Sequence, residues 1–189
     1  MKRGSLRESA VFLGQMAMKP RMVGSIIPSS KALARALASG IDPAAGNVIE
    51  FGGGTGRATE AILSRGIAPE NLIVFEINDT FFSLLEERFP KVKIMKLMAQ
   101  RITEAPLDNV TSVISGLPLL AMPQDVQHDI LANAFEKLEP GGEYVQFTYG
   151  TKPPVSPETC DALGLSVEKR TRIFWNLPPA SVFVFRKSN

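Results

Sequence analysis

The stretch Val48-Ile49-Glu50-Phe51-Gly52-Gly53-Gly54-Thr55-Gly56 constrains this chain more than any other. An apolar run ends in a carboxylate and then in a turn with glycine at every second position, E-x-G-x-G-x-G. A helix-like segment, Arg57 to Ser64, follows at once. Strand, glycine turn and helix in that order form a nucleotide-sized pocket at the carboxyl end of the first strand of an α/β sheet. Arg57 stands where the third small residue of a pyrophosphate-binding turn belongs, and no Gly-Lys-Ser/Thr follows, so the P-loop is excluded. Glycines let backbone turn sharply and approach a ligand closely. With Glu50 beside it, a nucleoside carrying a positive amino-acid tail suits the turn better than a pyrophosphate.

A second apolar run, Asn71-Leu72-Ile73-Val74-Phe75-Glu76, ends in an acid 22 positions after Gly54. A carboxylate about 20 residues on, at the tip of the second strand, suits a bidentate bond to ribose hydroxyls. The plainer role, a helix-capping or surface acid, is outweighed by the neighbouring glycine turn.

Together these features resemble the first motifs of class I S-adenosylmethionine-dependent methyltransferases. The resemblance implies a Rossmann-like, three-layer α/β fold with a mostly parallel seven-stranded sheet and an antiparallel C-terminal hairpin. It also implies S-adenosylmethionine as cofactor, with S-adenosylhomocysteine as product. Carried over by position, cofactor contacts fall on Glu50, Gly52, Gly54, Thr55, Gly56, Glu76, Ile77, Met98, Ala99 and Ser115. Similar proteins have an Asp-Ala pair after the third strand, the acid holding the adenine amino group. Here the pair reads Met98-Ala99; Met98 can pack against the adenine ring but cannot accept its N–H, for which a backbone carbonyl or Gln100 is the candidate substitute.

Strands are expected near 47–51, 71–76, 92–96, 110–115, 143–149, 167–175 and 181–187. Helices are expected near 57–65, 79–88, 123–138 and 157–163, with Pro140-Gly141-Gly142 turning out of the third. Alternation of this kind implies a mostly parallel sheet covered on both faces. The short link from Asn176 to Ala180 permits an antiparallel pair and no parallel crossover. A helix capped by Ser29 or Ser30 runs to about Ser39, with Ala32, Leu33, Ala36 and Leu37 as its buried stripe.

Four segments carry a narrower resemblance, to small bacterial phospholipid N-methyltransferases: Val23 to Ser30, Ser115 to Leu120, Val145 to Gly150 and Asn176 to Ala180. This resemblance spans about residues 11 to 187. It implies methyl transfer to the amine of phosphatidylethanolamine, towards phosphatidylcholine, at the cytoplasmic face of the cell membrane. An N-terminal amphipathic helix would bind that surface.

Charge is distributed accordingly. Residues 1–40 hold seven bases, Lys19 and Arg21 among them, against Glu8 alone, while the remainder holds 14 bases and 18 acids. A basic end on an acidic body suits a negative partner. Residues 5–18 form an amphipathic helical pattern, broken by Val11 and Met18 on its polar side. Such a helix either lies in an anionic headgroup region or packs on the domain. Residues 1–40 thus read as an extension to a cofactor-binding domain of 41–189. At 189 residues the chain suits one α/β domain, expected to be monomeric. One cysteine, no leader pattern and no long apolar window point to the cytoplasm, and one cysteine with one histidine leaves no credible metal site. His128 reads as a solvated surface residue.

Lys19 and Arg21 are candidates for the lipid phosphate, or else a solvated basic stretch. Tyr149 and Gly116 are candidates for the acceptor, Tyr149 orienting the amine or facing its cationic head; otherwise Tyr149 is a core-edge aromatic. Phe174 and Trp175 either wall a lipid site or, the favoured expectation, are buried in the last hairpin. One rival is RNA adenine N6-methylation, which needs an Asn/Asp-Pro-Pro-aromatic motif where this chain has Ser115-Gly116-Leu117-Pro118. A second is a protein that binds S-adenosylmethionine or membrane without turnover. The glycine spacing disfavours an NAD-dependent oxidoreductase.

Overall fold

The structure, a computed structural model, describes residues 30–188. The amphipathic pattern of residues 5–18, Lys19, Arg21 and the segment up to Ser29 lie outside the described residues.

Among the described residues seven strands form one sheet in the order β3-β2-β1-β4-β5-β7-β6. They are β1 (Asn47–Phe51), β2 (Leu72–Phe75), β3 (Lys93–Met95), β4 (Val110–Ser115), β5 (Leu138–Thr148), β6 (Leu165–Ile173) and β7 (Ala180–Lys187). All pairings from β3 to β5 are parallel, and β7 runs antiparallel to both β5 and β6. Among the described residues five α-helices accompany them: α1 (Lys31–Ala38) before β1, and α2 (Arg57–Leu63), α3 (Asp79–Arg88), α4 (Gln124–Lys137) and α5 (Pro157–Ala162) between strands. This is the expected three-layer α/β architecture with its antiparallel C-terminal pair.

Both faces of the sheet are covered, so its inner strands read as near-continuous apolar runs. Alternate residues serve opposite layers. Ile49, Phe51, Ile73, Phe75 and Tyr144 join a cluster with Ile130 and Leu131 of α4. Val48, Leu72, Val74 and Val145 join another with Leu33 and Leu37 of α1, Ile62 of α2 and Leu85 of α3.

Ser30 caps α1, its side chain accepting the Leu33 N–H at 3.1 Å. The buried stripe of α1 is Leu33, Ala34, Leu37 and Ala38. Ala32 is exposed, because the helix rotates its i, i+1, i+4, i+5 face onto the sheet. The Pro140-Gly141-Gly142 turn is built as an irregularity inside β5: pairing with β4 jumps from Val110↔Leu138 to Ser112↔Glu143.

The last hairpin departs most from expectation. β6 ends at Ile173, and Phe174 and Trp175 belong to the turn, where both are exposed rather than buried. Asn176 takes the interior position instead. Its Oδ1 accepts from the Ser30 amide at 3.2 Å and its Nδ2 donates to the Pro178 carbonyl at 2.8 Å. A buried amide satisfied on both sides holds the turn and turns its apolar neighbours outward.

Candidate cofactor cleft

The chain reverses direction across the sheet at β1: β2 and β3 are added on one side, β4 and β5 on the other. The loops leaving β1 and β4 therefore diverge, and a crevice opens at their carboxyl ends. Gly116, just past β4, donates its N–H to the Phe51 carbonyl at 2.8 Å. A Cβ on Gly116 would lie 2.9 Å from the Gly52 carbonyl oxygen, so the two loops touch only because no side chain intervenes.

The glycine loop carries three left-handed residues, Gly52 (φ 71°), Gly54 (φ 52°) and Gly56 (φ 80°). That conformation costs an ordinary side chain about 1–2 kcal/mol. At Gly56, which opens α2, a Cβ would also meet the Phe89 ring at 2.5 Å. The loop is pinned to the tip of β2. Gly52 donates to the Phe75 carbonyl at 2.8 Å, and Gly54 donates to Glu76 Oε2 at 2.9 Å. Glu76 Oε1 accepts from the Asn78 amide at 2.8 Å, and Asn78 in turn caps α3. Arg88 donates to the Thr55 carbonyl from the far side of the loop.

Glu50 is 1% exposed and lies under α2. Its Oε2 accepts from the Thr59 hydroxyl at 2.7 Å, while Oε1 is buried with no partner. Burial pushes the Glu50 carboxyl up to about 7; the Thr59 bond opposes this and the nearby Glu76 charge adds to it. A buried acceptor left unsatisfied in a native fold calls for a donor.

The cleft itself, about 370 Å³ with its solvent mouth included, is walled by Phe51, Phe75, Ile77, Met98, Ala99 and Leu117, with Glu76 and Gln100 as its polar members. Met98 contributes apolar wall, as its side chain dictates. Gln100 is buried, and its Oε1 has no partner. Asn133 of α4 holds the Gln100 backbone carbonyl at 3.0 Å. Two buried acceptors without partners, one at the root of the glycine loop and one in the cleft wall, fit a ligand rich in N–H donors. The apolar wall of the cleft fits a flat heterocycle.

The structure thus gathers Gly52, Glu76, Ile77, Met98 and Ala99 around one cleft. Glu50, Gly54, Thr55 and Gly56 form its glycine loop and root. Ser115 is fully buried and accepts from the Leu117 amide at 3.3 Å, which makes it a support of the loop. Tyr149 lies one residue beyond β5 and outside the cleft wall, half-buried against the layer formed by α1. Its ring packs edge-to-face on Phe147 with centroids 5.5 Å apart, and burial raises its phenol pKa. His128 is half-exposed beside Asp129.

Sequence reading missed Thr59 and Gln146. Gln146 Nε2 donates to the Leu117 carbonyl at 2.8 Å and so fixes the loop after β4. A glutamine inside the apolar run Tyr144 to Phe147 was the signal available for it. Thr59 showed only as a polar residue on the buried side of α2.

A glycine loop after β1, an acid closing β2 and an antiparallel seventh strand define the class I methyltransferase fold. Solved structures agree. A TehB-like SAM-dependent methyltransferase from Corynebacterium glutamicum is 16% identical with a TM-score of 0.61, covering 96% of this chain and 99% of that one. A 1,6-didemethyltoxoflavin-N1-methyltransferase from Burkholderia thailandensis, solved with 1,6-didemethyltoxoflavin and S-adenosylhomocysteine, is 15% identical with a TM-score of 0.68, covering 96% and 90%. Among curated proteins the chain is similar to an ornithine lipid N-methyltransferase of Singulisphaera acidiphila, 28% identical over 151 residues, 76% of this chain and 79% of that protein. It is thus a class I methyltransferase in fold and resembles the lipid N-methyltransferases. No family model matches it.

Proposed function

We propose that this chain is an S-adenosylmethionine-dependent N-methyltransferase of membrane lipids, with phosphatidylethanolamine and its monomethyl and dimethyl forms as acceptors. The observation that carries the reading is the pair of buried, partnerless acceptors, Glu50 Oε1 and Gln100 Oε1, beside a glycine loop and an apolar cleft. The likeness to an ornithine lipid N-methyltransferase supports a lipid amine as acceptor.

S-adenosylmethionine supplies the electrophilic methyl group. Glu76 has a lone pair to spare on each oxygen for ribose hydroxyls after accepting the Gly54 and Asn78 amides. Gln100 takes the part of the missing acid towards the adenine amine. Ile77, Met98 and Leu117 would cover the ring, and Glu50 would favour the positive amino-acid tail at the glycine loop. An attacking lipid amine must shed its proton first. Tyr149 does not serve as that base, because burial keeps its phenol protonated. It offers a ring face and a hydroxyl to the headgroup cation, an attraction of about 0.5–2 kcal/mol. Gly116 stands at the acceptor's entrance, and Lys19 and Arg21 supply charge for the lipid phosphate. The enzyme works as a monomer at the inner face of the cell membrane, attracted there by its basic residues 1–40. Among the described residues no helix is long and apolar enough to cross a membrane.

The test is incubation of the full chain with isotopically methyl-labelled cofactor and vesicles holding phosphatidylethanolamine or ornithine lipid, with product lipids read by mass spectrometry. Labelled monomethyl, dimethyl or trimethyl phosphatidylethanolamine is the expected result. Label on ornithine lipid alone moves the acceptor to that class, and label on neither lipid ends the proposal.

A further inference from the structure

The turn between β6 and β7 is built inside out. Its polar residue, Asn176, is 3% exposed and bonded into the body, while Phe174 is 71%, Trp175 93% and Leu177 81% exposed. Three large apolar groups on four consecutive positions form a contiguous patch rather than scattered surface residues. The Arg172 guanidinium lies 5.5 Å from the Phe174 ring centroid. From Lys169 to Ser181 the chain holds Lys169, Arg170 and Arg172 and no acid; Arg170 is ion-paired with Glu143, which leaves Lys169 and Arg172 as the cations of this stretch outside that pair.

β6 runs parallel to β1, β4 and β5, so its end lies at the carboxyl edge of the sheet, where the cofactor cleft opens. Register places the turn near Tyr149, the candidate acceptor residue. Arg172 pairs with Ser181, and Ser181 with Thr148. Tyr149 and Ile173 are each one residue beyond that row, two strands apart, which is about 10 Å. Leu120, 68% exposed in the short helical turn after β4, sits at the same edge. The Asn176–Ser30 bond ties the first described residue to this turn, and the sequence before it, residues 1–29, holds five bases and one acid.

We propose that Phe174, Trp175 and Leu177 form a docking element that enters the headgroup and upper acyl region of an anionic phospholipid bilayer, setting the cleft mouth against the headgroups. Tryptophan and phenylalanine beside an arginine, with no carboxylate to repel lipid phosphate, suit that boundary. A bilayer is the occupant that combines apolar depth with a negative surface. The proposal rests on the lipid-acceptor reading and explains how an acceptor that stays in its bilayer reaches the cleft.

Trp175 is the only tryptophan of the chain, so fluorescence reports on this turn alone. The full chain is mixed with vesicles of phosphatidylglycerol and phosphatidylethanolamine, with and without brominated acyl chains. A blue shift with quenching by the brominated lipid is expected. A Phe174→Ser, Leu177→Ser double variant should partition into vesicles at least about tenfold less well, with cofactor affinity by calorimetry unchanged. Vesicle-bound protein whose Trp175 emission neither shifts nor quenches overturns the proposal and assigns docking to residues 1–29. Absence of vesicle binding overturns it too. Methyl transfer to a detergent-dispersed amine lipid with Trp175 unquenched sinks the docking element and leaves lipid methylation standing. Quenching without transfer to any lipid amine supports the docking and sinks the acceptor reading.

Discussion

Glu76 Oε2 accepts the Gly54 amide proton at 2.9 Å, so the acid at the tip of β2 holds the middle of the glycine loop in shape. One carboxylate supports the loop and faces the cleft, and its two oxygens already satisfy two backbone donors.

Replacing Glu76 by Ala should leave the Gly54 and Asn78 amides without their partner. A loss of about 1–3 kcal/mol of stability is expected from such orphaned groups, read by urea unfolding. S-adenosylmethionine affinity should fall more than tenfold by calorimetry, since tenfold is about 1.4 kcal/mol. Glu76→Gln keeps one acceptor oxygen and should fall between. Wild-type affinity in the Ala variant would remove Glu76 from the site.

Glu50 makes stability depend on pH in the direction opposite to a paired acid. Its carboxyl rises from an ordinary 4.5 to about 7 in the folded chain. Between those values the folded state binds more proton than the unfolded state, so stability falls as pH rises. The contribution is fully lost above about pH 7 and amounts to about 3 kcal/mol. The wild type should be more stable at pH 5 than at pH 8 through this group, and Glu50→Gln should flatten that slope. An unchanged slope in the variant would show that Glu50 is not the titrating group.

Gln100→Leu separates ligand binding from folding. Removing a buried acceptor that has no partner should leave the free protein as stable or up to about 1 kcal/mol more so. S-adenosylmethionine binding should weaken about tenfold through one lost hydrogen bond in a dry cleft. Equal affinity in the variant would assign the adenine amine to a backbone carbonyl.

Gly116→Ala tests the contact between the loops after β1 and β4. The added Cβ would stand 2.9 Å from the Gly52 carbonyl and 3.3 Å from that of Phe51. Backbone must shift, at a cost of about 1–3 kcal/mol, with weakened cofactor binding because Gly52 lines the cleft. Gly150→Ala, whose Cβ would meet no atom nearer than 3.6 Å, is the tolerated control.

Tyr149→Phe should keep most turnover if the ring face meets the headgroup cation, and Tyr149→Ala should lower kcat about fivefold or more, in line with about 1 kcal/mol of cation–π attraction. Wild-type turnover in the Ala variant would return Tyr149 to a packing role at the sheet edge.

The strands, the glycine loop and Glu76 were legible because their signals are local. Apolar runs, glycines and an acid follow one another within 29 residues, from Val48 to Glu76. The Ser30 cap and the short β6–β7 link were legible for the same reason. Thr59 against Glu50, Gln146 against the Leu117 carbonyl, and Asn176 against Ser30 were not. The last of these pairs is 146 positions apart, and no sequence window holds both partners. Trp175 was misplaced because an apolar residue after a strand reads as a buried continuation of it. In the fold β6 stops at Ile173, and Asn176 claims the interior by finding two hydrogen bonds there.

By itself the sequence determined the alternation of elements, the left-handed glycine turn and the acids flanking it, since these follow from periodicity and backbone sterics within short stretches. Only the tertiary structure decided which polar groups ended without partners, Glu50 Oε1 and Gln100 Oε1 among them with Arg170 Nη1 and Arg172 Nε, and which apolar groups ended in solvent. Burial and hydrogen-bond satisfaction depend on everything that packs around a group, and that is set by contacts between residues far apart in the chain.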